Sequence, residues 1–142
     1  MTQQPTPPRP LPRPQPEWDF YWEKAKAHEL WLMRCKDCNS VYFYPRPMCP
    51  ECFSRNTEWF QSSGKGTLYA FAIVHRAPTP AFRDMVPYVT AFVELEDGVR
   101  MPTNLVMDNP TPETVKIGMP VEVIFEDMND KIALPKFKPA PA

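Results

Sequence analysis

The sequence predicts a mostly β protein: an N-terminal helix, then a four-cysteine zinc ribbon, then a five-stranded Greek-key barrel of the OB type. Three observations carry this. All four cysteines of the 142-residue chain lie between Cys35 and Cys52, as two Cys-x-x-Cys pairs separated by ten residues. After Gly64, short runs of β-branched and aromatic residues alternate with turns marked by glycine and proline. Between a proline-rich start and the first cysteine lies one stretch whose aromatics recur at helical spacing.

In chain order, residues 1–16 hold seven prolines and, apart from two threonines, no aromatic or β-branched residue. Such a segment cannot bury a core, so an extended, mobile and disordered arm is expected. Residues 17–34 read as a helix and a lead-in strand. Glu17 and Asp19 suit the first turn of a helix over Glu17–Ala27, where acidic side chains meet the positive end of the dipole. Trp18, Tyr21, Trp22 and Ala25 then fall on one face. Three large aromatics on so short a helix either pack across both halves of the protein or form a partner-binding patch.

Residues 35–62 form the expected ribbon. A Cys-x-x-Cys turn aims two sulfurs at one point, and two such turns make the tetrahedral thiolate cage that structural zinc prefers. Cys35, Cys38, Cys49 and Cys52 are the metal ligands on this reading; iron stays open, because four thiolates also suit it. The insert Asn39–Met48 is long enough for a hairpin, with Val41–Tyr44 strand-forming and Pro45 and Pro47 turning the chain. Disulfides would require an oxidising compartment, and the start of the chain has neither the basic end nor the apolar core of a signal peptide. A thioredoxin-like redox site would use one pair at a strand-to-helix junction, not two pairs flanking a hairpin.

Residues 63–138 supply the expected barrel: Thr67–Val74, Tyr88–Leu95, Val99–Met107, Val121–Glu126 and the short apolar Leu134–Phe137. Gly98 sits in a tight turn where a positive φ is needed, and Ile117–Pro120 makes a second turn around Gly118. Five strands with a longer link between the third and fourth suit an OB barrel better than the roughly seven strands of an immunoglobulin-like sandwich. Residues 139–142 are read as a tail.

Charge narrows the function classes. The formal net charge is −1, and residues 67–127 hold four Lys or Arg against nine Asp or Glu. An acidic barrel repels a phosphate backbone, so nucleic acid is not the expected partner; a single-stranded nucleic-acid-binding OB and zinc-ribbon protein is the alternative set aside on this ground. No apolar run approaches the roughly 20 residues of a membrane span and no targeting motif shows, so no membrane partner and a cytoplasmic location are expected. With four thiolates closing the metal, no cysteine remains as a nucleophile and no coordination position is open for catalysis. No catalytic residue is assigned, and the chain is expected not to be an enzyme on its own.

Cys35-Lys36-Asp37-Cys38, Pro45-Arg46-Pro47-Met48-Cys49-Pro50-Glu51-Cys52, Ser63-Gly64-Lys65-Gly66, Val74-His75, Phe82, Pro87-Tyr88, Asn104-Leu105, Gly118-Met119-Pro120-Val121 and Phe125-Glu126 follow one another in this order. In order and spacing they resemble the acyl-CoA-associated OB-fold proteins that carry an N-terminal rubredoxin-like zinc ribbon, over about residues 17 to 138. The resemblance implies an accessory subunit of a thiolase-like acyltransferase or aldolase complex, working on aromatic or steroid acyl-CoA. A hot-dog-fold acyl-CoA hydratase as partner, or a scaffold channelling acyl-CoA between enzymes, is the alternative. This chain has Asn39 where the family usually has glycine after the first pair and His28 where it often has glycine near the helix end, while Phe53 and Ser54 after the second pair are unexceptional on this reading.

The same resemblance suggests that a CoA thioester is bound at, or shared with, the thiolase-like partner in a hetero-oligomer. Arg46, His75, Arg76 and Arg83 are the candidate CoA contacts, since guanidinium groups pair well with phosphates. Trp18, Tyr21, Trp22 and Phe82 are the candidate partner contacts. The plainer alternatives are a strand-end histidine that bonds its own loop, and an Arg46 that offsets the charge of the thiolate cage.

Overall fold

The computed structural model describes residues 5–141; residues 1–4 of the expected arm and residue 142 of the expected tail lie outside these. The helix α1 runs Asp19–Lys26, two residues shorter at its start than the pattern suggests. Trp18 occupies the cap position and makes no side-chain cap bond, since an indole offers no acceptor to the first free N–H groups. The helix closes at His28, which takes the left-handed conformation at φ 62° and donates its N–H to Ala25 O.

Three strands follow, β1 (Trp31–Cys35), β2 (Val41–Tyr42) and β3 (Thr57–Gln61), paired antiparallel in the order β2-β1-β3. The hairpin strand is shorter than the Val41–Tyr44 run predicts. Phe43 and Tyr44 leave the ladder and pack against α1 instead, Tyr44 meeting Trp18 edge-on at 4.9 Å and Phe43 meeting Tyr21 at 6.0 Å.

The barrel comprises β4 (Lys65–Val74), β5 (Tyr88–Leu95), β6 (Arg100–Leu105), β7 (Pro120–Asp127) and β8 (Ala133–Pro139), closed in the order β4-β5-β6-β8-β7. Strand β4 pairs with both β5 and β7, and a bulge between Leu68 and Ala70 bends it from one to the other. Gly66 sits in that double pairing, where an added Cβ would lie 2.4 Å from Glu94 O. The tight turns hold Gly98 at φ 92°, as expected from its position, and Gly118 at φ 86°.

Along β5, Val89, Ala91, Val93 and Leu95 point inward and are buried, the period-two pattern of a strand with one wet face. Tyr21, Trp22, Ala25, Leu30 and Leu32 join the same apolar cluster as these barrel residues. The aromatic helix is therefore a plug between barrel and ribbon. Ser62–Gly64 link the two parts, with Ser62 Oγ donating to Asp97 and Ser63 Oγ to Glu96 at 3.0 Å, so the link is tied to the β5–β6 turn.

The arm is not wholly free in residues 5–16. Arg9 reaches across to Glu126 of β7 at 2.7 Å, and Glu126 also pairs with Lys136 of β8. Partial burial raises the Glu126 pKa, but the hydrogen bonds from Arg9 and Lys136 outweigh it and hold the carboxyl below its usual value. A carboxylate with a depressed folded pKa stabilises the fold above its unfolded pKa, and that gain is lost as pH falls through the folded value. Arg9→Ala is thus expected to lower stability modestly at neutral pH, with the deficit vanishing below the usual carboxylate range. Urea unfolding of both proteins across pH tests this; a deficit independent of pH would mean that Arg9 acts by packing alone.

Candidate metal centre and acyl-CoA surface

The two knuckles are built alike. In each, the residue after the second cysteine takes a left-handed conformation, Asn39 at φ 62° and Phe53 at φ 63°. Each donates its N–H to the first cysteine's carbonyl, Asn39 to Cys35 at 2.9 Å and Phe53 to Cys49 at 3.0 Å. In each the first cysteine's N–H is donated to a serine carbonyl, Cys35 to Ser40 at 2.9 Å and Cys49 to Ser54 at 2.8 Å. Asparagine tolerates this conformation and phenylalanine does not, so the sequence reading that found Phe53 unexceptional is corrected. Phe53 keeps 69% of its surface exposed, so packing does not explain its place. Phe53→Asn is expected to stabilise the loaded ribbon by about 1 kcal/mol through relief of backbone strain, read as a rise in thermal midpoint. An unchanged or lower midpoint would refute this.

The four sulfurs converge. Cys35 Sγ lies 3.5 Å from Cys52 Sγ, Cys38 Sγ lies 3.6 Å from Cys49 Sγ, and all four ligand atoms fall within 4.8 Å of one another. Thiolates roughly 2.3 Å from a central zinc sit roughly 3.8 Å apart at the corners of a tetrahedron. The spacing brackets that value and far exceeds the roughly 2.05 Å of a disulfide. The residues fit a four-thiolate metal.

Electrostatics agree. Hydrogen bonding with Ser40 pulls the Cys38 thiol down to about 6. At Cys52 a backbone hydrogen bond from Ser54 favours the thiolate, but contact with Cys35 and the other two sulfurs pushes the group up to about 12. Four negative sulfurs cannot share so small a space without a cation. Asp37, inside the first pair, accepts hydrogen bonds from Ser54 and Asn56 beyond the second, which hold its carboxyl below the usual range and tie the knuckles together. Met33, Cys35, Tyr42 and Cys49 form a small buried cluster beside the cage, covered by Trp59.

The other candidate residues are scattered. His75 and Arg76 follow the end of β4, and Arg83 follows the 3-10 turn Pro80–Phe82; all three are exposed on the loop between β4 and β5. Arg76 and Arg83 make no ion pair among the described residues, unlike Arg100 of the same barrel, which lies 3.7 Å from Glu94. Phe82 is half-buried and rests on Tyr88 with ring centroids 6.0 Å apart. Arg46 is not on this loop. It lies in the ribbon insert, where its Nε donates to Tyr44 O at 3.4 Å.

For the aromatic helix, the partner-binding reading needs correction at two positions. Tyr21 and Trp22 keep 2% and 7% of their surface, because barrel and hairpin side chains already cover them. Burial also raises the Tyr21 hydroxyl pKa well above its usual value, as Tyr44 does to a lesser degree. Trp18 is half-buried against Tyr44. The sequence reading missed Lys136, a buried lysine, because nothing in a strand pattern marks which lysine turns inward.

Comparison with known proteins agrees with both halves. Residues 22–58 match the family model described as the ChsH2 rubredoxin-like zinc ribbon domain, and residues 59–126 match that of the ChsH2 C-terminal OB-fold domain. A solved structure described as "Ltp2-ChsH2(DUF35) aldolase" contains a chain 36% identical, superposing with a TM-score of 0.79 over 92% of this chain and 100% of that one. A DUF35 domain-containing scaffold protein of Methanocaldococcus jannaschii is 44% identical over 83% of this chain and 87% of its own length. A probable enoyl-CoA hydratase alpha subunit of Thermomonospora curvata is 37% identical over 93% of this chain, which spans only 40% of that protein. Spacing, sulfur geometry and these matches lead to one statement: the chain belongs to the ChsH2/DUF35 family of zinc-ribbon OB-fold proteins.

Proposed function

We propose that this protein is a non-catalytic subunit that assembles with a thiolase-like acyltransferase or aldolase and helps it to handle an acyl-CoA substrate. The observation that carries this reading is the match along the whole length of the chain found in the Ltp2–ChsH2(DUF35) aldolase structure. The chemistry of the chain supports it. Each cysteine is committed to the cage, so no thiol is left to attack a thioester.

On this reading the zinc holds the ribbon against the barrel, and the chain contributes surface. The loop carrying His75, Arg76 and Arg83 offers to CoA phosphates guanidinium groups that have no carboxylate partner among the described residues, on a barrel that is otherwise acidic. Trp18 and Phe82, each half-buried, are the aromatic contacts left for the partner. Bound zinc would supply structure and no reacting group.

Co-expression with a thiolase-like protein from the same source tests the assignment. The pair should co-purify, and cleavage or transfer on aromatic or steroid-derived acyl-CoA should require both chains. A thiolase-like protein that is stable and fully active alone sinks the subunit reading. Arg76→Glu combined with Arg83→Glu is expected to raise KM for the acyl-CoA with the complex intact; an unchanged KM would remove the loop from the CoA site.

A further inference from the structure

The barrel is least closed along the seam between β6 and β8. These strands share one bridge, Leu105 opposite Phe137, while β7 and β8 pair continuously from Val121–Pro139 to Asp127–Ala133. Two cavities open beside the seam. One, of about 410 Å³, has Val89, Met107, Ile124 and Phe125 in its walls together with the carboxylate of Glu126. The other, of about 240 Å³, lies between the seam and the rings of Trp22 and Phe43. Asn104 and Lys136 border both.

Lys136 and Glu126 are the charged groups in these otherwise apolar walls. Lys136 keeps 6% of its surface, and lysine is almost never so buried without a partner. Among the described residues its one carboxylate neighbour is Glu126, which is shared with Arg9. Two cations thus divide a single carboxylate, and the cluster holds an excess positive charge next to apolar space. An ammonium has three donors, and Glu126 does not occupy them all. Buried charge is costly unless it is paired, so a further anionic oxygen at this point would be stabilising.

We propose that the β6–β8 seam is a binding slot for an apolar carboxyl compound, with an aliphatic or ring body of about ten carbons in the cavities and a carboxyl oxygen on Lys136. A free carboxylate and the acyl end of a thioester share the apolar body and the carbonyl oxygen, so either source fits the chemistry. The slot uses neither the zinc nor the loop cations, and it belongs to the chain without a partner.

The test titrates the full, zinc-loaded chain with decanoate, decanoyl-CoA and decanol, following tryptophan fluorescence, to which Trp22 reports, and amide chemical shifts. Decanoate or decanoyl-CoA should bind saturably below about 1 mM, with shifts concentrated at Asn104, Lys136 and their strand neighbours. The tighter of the two identifies the source. Lys136→Met should weaken decanoate at least about tenfold, the loss of one charge-assisted contact, and leave decanol unchanged; Lys136→Arg should retain binding. If Lys136→Met fails to fold, Val106→Trp at the exposed rim of the larger cavity replaces it and should weaken all three ligands. No saturable binding of either acyl compound, shifts that map elsewhere, or equal losses for decanoate and decanol on Lys136→Met overturn the proposal.

Discussion

Cys49→Ser, or chelation of the metal, is expected to unfold the ribbon, abolish assembly with a partner and leave a weakened barrel. Metal binding and folding are one event in small zinc domains, with apparent binding energies of about 10 kcal/mol or more, and the ribbon has little else to stabilise it. Its private core is Met33, Cys35, Tyr42 and Cys49 beneath Trp59, and two of those four are the ligands themselves. The effect does not stop there. Leu30, Leu32 and Phe60, in or next to the ribbon strands, pack in the barrel's cluster, so loss of the ribbon uncovers one end of that core. Far-UV circular dichroism should keep its β signal while near-UV signal from Trp59 disappears and the thermal midpoint falls. Complete loss of both signals would show that barrel and ribbon fold as one unit. No change in either would remove the metal from the fold.

Trp22→Ala is the second large effect, about 3–5 kcal/mol from the cavity left by a buried ring. That is a large share of the stability of an ordinary domain. Trp22 faces Tyr21 edge-on at 5.1 Å and sits where helix, hairpin and barrel meet, so no single neighbour can move in to fill the space. Trp22→Phe should cost far less. Among the described residues the buried indole Nε1–H makes no hydrogen bond of good geometry, and removing it relieves a penalty while most of the packing stays. Denaturant midpoints of the two variants, with zinc content checked in each, decide the matter. Equal losses would mean that the indole nitrogen has a partner in solution, such as an ordered water.

These two variants also separate what the sequence shows from what it hides. Cysteine spacing carries the cage because two-residue loops leave the sulfurs few places to point, and the alternation in β5 carries the barrel because a half-wet strand must alternate. Asn39, Gly98 and Gly118 advertise left-handed backbone by residue type. His28 and Phe53 adopt the same conformation with side chains that give no such signal, so the second knuckle's strain could not be read. The helix aromatics were legible as a face, but what covers that face depends on contacts with residues some eighty or more positions away. Tyr21 and Trp22 border a cavity shared with Met101 and Leu134. The Arg9–Glu126 ion pair joins residues 117 positions apart, beyond any local pattern, and it ties down an arm whose composition alone suggests freedom.

The proposed acyl-CoA surface is the part that neither pattern nor burial defines. His75, Arg76 and Arg83 share one loop because they are close in sequence, while Arg46 remains with the ribbon. A surface assembled with a second protein leaves little trace in one chain.

On the proposed reading, four cysteines clamp one metal ion and thereby form a rigid platform, not a reacting centre. Metal analysis of the purified chain, combined with X-ray absorption at the metal edge, tests it directly. One zinc per chain is expected, surrounded by four sulfurs at roughly 2.3 Å, with no open position for water or substrate. Absence of stoichiometric zinc and iron, or a metal with an oxygen ligand in place of one sulfur, would contradict it.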